Sequence, residues 1–313
     1  MGERPDPRPG VSVVVPVYNE AQSLADLHQR LAWSLKGVGR AWEVVFVDDG
    51  STDGSPALLR ALHERHRNVR VVRFNRNYGQ HAAVLAGLEH ARGDVVVTLD
   101  ADLQNPPEEI PRLLERTDAG VDVVAGYRAD RHDSAMRRAA SRAVNRVISA
   151  AVGVRMRDYG CMLRAYRRPV VDQILRCPEI SRFIPALANL FASSVEEIVV
   201  DHAPRKHGRS RYGALRLLRL ALDLFTGFSL LPIQAVSLVG ILVAALGLGF
   251  AVFLGFRRLL VGPEVEGVFT LFAILFFFVG IQILALGLIG EYVGRIYQEV
   301  LRRPRYVVAE VLE

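Results

Sequence analysis

Residues 93–107, GDVVVTLDADLQNPP, decide how the chain is read. Val95, Val96, Val97 and Leu99 form a short apolar run, the pattern of a strand covered on both faces. The run ends at Asp100, with Asp102 two residues on. Pro106 and Pro107 then stop the strand and open a helix that begins with Glu108 and Glu109. In open α/β sheets ligands collect beyond the carboxyl ends of the strands. Two carboxylates at such an end, with the amide of Gln104, make a hard-oxygen site for Mg2+ or Mn2+, and such an ion would hold a diphosphate. The same acids also suit a helix cap or a solvated turn, so the pair alone leaves both readings open.

The neighbouring sequence repeats the pattern. VSVVVPV at 11–17 reads as a buried strand that ends in Tyr18, Asn19 and Glu20, and Leu24, Leu27, Leu31 and Leu35 predict an amphipathic helix over 21–36. EVVFV at 43–47 is a second strand, ending in DDGSTDG at 48–54; Pro56 suits the first turn of a helix carrying Leu58, Leu59 and Leu62. VRVVRF at 69–74, a helix over about 80–92, the strand at 94–99 and VDVVAGY at 121–127 follow. This alternation predicts an α/β fold, a mostly parallel sheet with helices on both faces. No G-x-G-x-x-G follows the first strand and no P-loop occurs, so side chains rather than a glycine cradle must read a nucleotide. A Tyr can cover a base, and a carboxylate can accept from the N–H of a uracil-type ring; Asp49 is the residue chosen for that contact. Asp48, Asp49 and Ser51 equally suit turns and caps, but three polar, acid-bearing strand ends in one sheet favour the nucleotide.

The 313 residues suffice for one large or two smaller domains, and the net charge of +6 comes largely from Arg at 128–146, 205–219 and 295–305. These clusters flank apolar segments and no nucleic-acid motif accompanies them, so anionic lipid, not nucleic acid, is the expected partner. The two cysteines, Cys161 and Cys177, have neither metal spacing nor the density of a disulfide framework. Residues 1–10 are polar and lack the apolar core of a signal peptide, which leaves the soluble part in the cytoplasm. Over 213–227, Leu215, Leu218, Leu222 and Phe225 share one face, the pattern of an interfacial helix. Two runs, about 229–254 and 268–289, carry no Asp, Glu, Lys or Arg, and each reaches the ~20 residues that cross a bilayer. Arg216 and Arg219 before them and Arg295, Arg302, Arg303 and Arg305 after them place both ends of this 228–291 hairpin in the cytoplasm. Gly290 and Gly294 permit close helix packing, a sign of oligomerisation.

VVVPVYNE, VDDGSTDG and TLDADLQNPPEEIP together resemble the large inverting glycosyltransferase family with the GT-A fold, family 2. RNYGQHAAVLAGLEHARGD, DYGCMLRAYRR, FIPALANLFA and the final GEYVGRIYQEVLRRPRY are similar to its polyprenyl-phosphate subgroup, and within it to transferases of 4-deoxy-4-formamido-L-arabinose. The likeness runs from Val11 to about Tyr306 and makes 11–212 the catalytic domain and 292–313 a cytoplasmic C-terminal segment. It implies transfer of that sugar, with inversion, from its UDP donor to undecaprenyl phosphate at a bacterial inner membrane, for lipid A modification and resistance to cationic peptides. It further implies that Pro16, Tyr18, Glu20, Val47 and Asp49 hold the uridine with Asp100 and Ala101, and that Asp100, Asp102 and Gln104 hold the metal and diphosphate. Arg128 and Arg137 match arginines that contact the donor diphosphate or the acceptor phosphate.

In RKHGRSRY, 205–212, the family pattern has an acid where Arg209 stands and a Lys where Arg211 stands. Arg211 still offers a cation, now as a fork, with Arg205 and Lys206 as further phosphate ligands. Asp158 matches a residue discussed as the catalytic base; a phosphate acceptor is already ionised, so Asp158 equally suits orienting the acceptor or pairing with Arg155 or Arg157 in a turn. Relatives also imply a homotetramer. Other readings are a polyprenyl-phosphate glucose or mannose transferase, a processive synthase (QILRC at 173–177 lacks that class's Trp) and a non-catalytic membrane scaffold with a nucleotide-binding fold.

Overall fold

The computed structural model describes residues 9–128, 156–177, 183–201, 231–261, 268–301 and 304–313. The chain divides into two units, one of residues 1–221 with 304–313, the other of 222–303. The interfacial helix expected at 213–227 lies outside the described residues.

In the first unit the elements run β1 (Val11–Val17), α1 (Leu24–Lys36), β2 (Trp42–Asp48), α2 (Ser55–Arg65), β3 (Val69–Phe74), α3 (Gln80–His90) and β4 (Val95–Thr98). A single 3-10 turn, Pro107–Glu109, leads into α4 (Ile110–Asp118), as the two prolines predict. Then come β5 (Val123–Arg128), β6 (Arg164–Arg167), α5 (Arg168–Arg176), α6 (Ile184–Phe191), β7 (Val195–Val200) and, after the second unit, β8 (Val308–Leu312). They form one eight-stranded sheet in the order β7-β5-β6-β4-β1-β2-β3-β8. β1, β2, β3 and β4 are parallel, and so are β5 and β7; β6 and β8 run antiparallel to their neighbours.

Burial explains why these segments became strands and helices. Val11, Val13, Val15 and Val17 of β1 are buried, and so is Val14, so both faces are covered, as in parallel sheets. In α1, Leu24, Leu27, Leu31 and Leu35 sit in the same core, each burial contributing ~1.5–3 kcal/mol relative to exposure. At the amino ends of the strands, buried Ser12 donates to Glu43 Oε1 (2.6 Å) and accepts from the Gly93 N–H (2.7 Å), which satisfies polar groups that burial would otherwise leave costly.

The order 4-1-2-3 has a functional consequence. From β1 the chain moves outward through β2 and β3, then returns to place β4 on the other side of β1. The carboxyl ends of β1 and β4 therefore flank the switch point, where loops diverge and leave a crevice.

The second unit holds two helices, α7 (Leu231–Val261) and α8 (Val268–Val300). α7 runs on through Arg257 and Arg258, and α8 runs past its apolar stretch to include Glu291, Arg295 and Glu299, so both exceed the apolar runs read from sequence. Among the described residues one helix is long and apolar enough to cross a membrane, through the window Phe277–Gly294. A shorter apolar stretch, Val236–Gly247, lies in α7, and a Cβ added to Gly247 would sit 3.8 Å from the Phe278 ring.

Candidate active site

The carboxyl ends of β1, β2 and β4 carry the nucleotide and metal residues singled out in the sequence. After β1 the chain turns through Asn19, whose φ of 58° is the left-handed region rarely adopted by a non-glycine residue. This turn is knitted to the one after β2. The Asn19 N–H donates to Ser51 Oγ (3.0 Å), Asn19 Oδ1 accepts from the Thr52 N–H (2.8 Å), and the Glu20 N–H donates to Ser55 Oγ (3.0 Å). Asp53 accepts from Ala21 and Ser55; burial works against its ionisation, yet those bonds hold its carboxyl below the usual value. Most polar residues of YNE and DDGSTDG thus build a platform, and Tyr18, 37% exposed, stands on it.

Asp48 and Asp49 separate at the end of β2. Asp48 is fully buried, bonds the Ser51 N–H (2.9 Å) and lines a cavity of about 230 Å3 with Arg60, Arg73 and Glu310. Asp49 faces loop 75–79. It accepts from Asn77 Nδ2 (2.9 Å), the Tyr78 N–H (2.7 Å) and the Gly79 N–H (2.9 Å). Burial raises its pKa, against the lowering effect of the two backbone bonds. Gly50 is required here: its φ is +68°, and a Cβ would lie 2.5 Å from the backbone of Arg76. The same loop continues into α3, where Gln80 Nε2 donates to Asp100 Oδ1 (2.6 Å). Residues 77–80 therefore join the acidic ends of β2 and β4, a role that sequence reading missed. The block NRNYGQH follows a third parallel strand, and its position at the same sheet edge was the available signal.

After β4, Leu103 takes φ 61°, and Asp102 Oδ1 accepts the Gln104 N–H (3.1 Å). Asp100, Ala101, Asp102 and Gln104 thus share one tight turn outside the switch point. Among the described residues no group of three or more His, Cys, Asp or Glu could hold a metal ion by itself. Two carboxylates two residues apart fit Mg2+ or Mn2+ in the mode where one or two acids share the ion with substrate phosphates.

Asp158 comes to the same edge because β6 pairs with β4. Arg164 opens β6 opposite Thr98, and Thr98 Oγ1 donates to the Met162 carbonyl (2.6 Å). Cys161, buried as a packing residue, lies 3.8 Å from Asn105 Oδ1 and ties this loop to the Asp102 turn. Asp158 is 3% exposed, accepts the Gly160 N–H (3.0 Å), and is held through its backbone by Glu197 and Arg164. Arg164 is wholly buried and donates to the carbonyls of Cys161 and Asp158, so it fixes the loop from below.

Pro16 and Val47 sit near the ends of β1 and β2, in register with one another. Arg128 closes β5, whose carboxyl end lies at the same edge. Arg137, Arg205, Lys206 and Arg211 lie outside the described residues.

Comparison with known proteins supplies the remaining findings. The family model for Glycosyl transferase family 2 matches residues 12–175. Undecaprenyl-phosphate 4-deoxy-4-formamido-L-arabinose transferase of Edwardsiella ictaluri is 53% identical over 305 residues, covering 96% of this chain and 94% of that protein. The protein of the same name from Salmonella typhimurium is 50% identical, covering 96% and 93%. Among solved structures, glucosyl-3-phosphoglycerate synthase from Mycobacterium tuberculosis, crystallised with Mn2+, UDP and glucosyl-3-phosphoglycerate, matches with a TM-score of 0.50 at 19% identity, covering 69% of this chain and 78% of that one. That likeness shows the fold.

Proposed function

Because this chain belongs to glycosyl transferase family 2, we propose that it moves 4-deoxy-4-formamido-L-arabinose from its UDP donor to undecaprenyl phosphate with inversion. The observation that carries this reading is the half identity, over nearly the whole length, to relatives that bear that name, joined to an acidic turn at the switch point. In this reading Tyr18, with Pro16, Glu20, Val47 and Asp49, takes the uridine. Asp100, Ala101, Asp102 and Gln104 take the diphosphate end together with Mg2+ or Mn2+. When bound, that ion offsets the negative charge that grows on departing UDP.

The acceptor phosphate arrives ionised. One of its oxygens attacks the anomeric carbon on the face opposite UDP, the carbon–oxygen bond to UDP breaks, and UDP leaves with the electron pair. No proton has to be removed from the nucleophile. Asp158, buried and bonded to its own turn, suits orientation better than proton abstraction. Arg128, Arg137, Arg205, Lys206 and Arg211 gather the phosphates in the same reading.

We also propose that α7 and α8 form a two-span hairpin in the inner membrane, with the catalytic unit in the cytoplasm. Both helices expose large apolar side chains, among them Ile241, Leu246, Leu259, Leu271, Ile283 and Leu286, which lipid would cover. At ~1.5 Å per residue each helix exceeds a ~30 Å hydrocarbon core. The chain's own connectivity supports two crossings. β8 is hydrogen-bonded to β3 in the sheet that also holds β1, so the chain leaves and re-enters one domain. A domain on one side of a bilayer demands an even number of crossings. A homotetramer belongs to the same proposal, and mass measurement in detergent reads it.

Asp102→Asn tests the site. The variant is expected to keep its melting temperature and lose transfer by at least about a hundredfold. Turnover like the wild type would remove Asp102 from the donor site.

A further inference from the structure

The block GEYVGRIYQEVLRRPRY, residues 290–306, helps to carry the family resemblance, yet nothing in the reaction uses it. Its last residue has a definite place. The Tyr306 ring stacks on Phe74, the final residue of β3, with centroids 4.7 Å apart and planes 17° from parallel. The Tyr306 hydroxyl donates to Glu89 Oε2 on α3. Burial, and then the Glu89 carboxylate, push that hydroxyl above its ordinary pKa, so it stays protonated and remains a donor. The next residue, Val307, accepts from the Asn75 N–H (3.2 Å).

Phe74 and Asn75 are where loop 75–79 begins, and α3, which carries Glu89, is where the loop ends. Phe74 is buried, and the Tyr78 ring meets it edge-on at 5.7 Å. From Tyr78 the contacts pass directly to Asp49, and from Gln80 to Asp100. A continuous set of contacts thus runs from Tyr306 to two carboxylates at the ends of β2 and β4.

We propose that Tyr306 is a positioning residue for the sugar-nucleotide donor: it braces residues 75–80 from behind and, through them, fixes Asp49 and Asp100. This rests on the reading that those two carboxylates face the donor. In the described contacts Tyr306 reaches the two carboxylates through Phe74 and residues 75–80. Its loss therefore acts on donor binding and leaves the saturated rate alone.

Kinetics of the full chain in detergent, with UDP-4-deoxy-4-formamido-L-arabinose and undecaprenyl phosphate, test this. Tyr306→Leu keeps bulk without the stack or the hydroxyl. It is expected to raise the donor KM about five- to tenfold, with kcat at saturating donor and the acceptor KM within about twofold of wild type. Tyr306→Phe restores the stack and brings the donor KM back to within about two- to threefold. Should Tyr306→Leu not fold, Tyr306→Phe, which loses only the hydroxyl bond, and Glu89→Ala, which removes the acceptor of that bond, must both raise the donor KM by about two- to threefold. A kcat that falls with both KM values unchanged overturns the inference, because it reports only fewer folded molecules. An unchanged donor KM in every variant overturns it as well. If the wild type shows no saturation with the donor, the reading of the donor site itself fails and takes this inference with it. Saturable wild-type kinetics with unaltered variants remove this inference alone.

Discussion

Asp49 is the carboxylate through which the fold meets the proposed donor site. Its oxygens accept from Asn77, Tyr78 and Gly79, and each bond needs the ionised form or an oxygen free of its own proton. Burial raises its pKa above the ordinary Asp value of ~3.9. The sign for stability follows from linkage: a raised folded pKa gives stability that is full below the unfolded pKa and is lost as pH rises through the folded one. Binding runs the other way, because protonation releases the loop that Asp49 holds. UDP affinity, measured by calorimetry from neutral to mildly acidic pH, is expected to weaken toward acid more steeply in the wild type than in Asp49→Asn. At neutral pH Asp49→Asn is expected to bind about tenfold more weakly, or ~1.4 kcal/mol. Equal slopes would show that Asp49 does not titrate with the loop. The sequence made Asp49 visible through DDGS. It did not show the three donors, because they come from a loop after a different strand.

Among the elements, β8 is one that the sequence reading passed over. It pairs with β3, and Glu313 reaches Arg70, a buried guanidinium that also faces Glu43 at 3.7 Å. Glu310 pairs with Arg60 in a more exposed place. Glu310→Ala alone is expected to cost ~0.2–1 kcal/mol, the range of surface pairs. Removing 308–313 uncovers the β3 edge and strips Arg70 of one partner, so its thermal midpoint is expected to fall well below that of Glu310→Ala; a truncated chain that melts like the wild type would refute a role for β8 in the fold. β1 to β5 were legible because parallel, doubly covered strands are near-continuous apolar runs. β6 (RAYR), β7 (VEEIVV) and β8 (VAEVL) interrupt their apolar residues with charges, so the same reading missed them. Arg164 is the sharpest case: a charged residue in a strand reads as outward-facing, yet it is fully buried because carbonyls of its own preceding loop accept its protons.

The whole molecule joins a sugar-nucleotide fold to two long apolar helices, and topology is its testable property. In a variant with Cys161 and Cys177 replaced, a cysteine at position 264 is expected to react with an impermeant maleimide in intact cells. A cysteine in place of Trp33, 72% exposed, is expected to react only after the membrane is opened. Labelling of both from one side would contradict the hairpin. The proposed hairpin is read from uncharged runs and flanking Arg; the parity that supports the proposal came from β8, which no hydropathy pattern reveals. The sugar was legible through the resemblance of whole motifs, not through any single described side chain. The decisive measurement is the mass of the lipid product when membranes containing the chain receive undecaprenyl phosphate with either UDP-4-deoxy-4-formamido-L-arabinose or UDP-glucose. The expected product is undecaprenyl phosphate carrying the formamido-pentose, with no hexose product and with the signal lost in Asp102→Asn. A hexose product of equal yield, or UDP release without any glycosylated lipid, would contradict it.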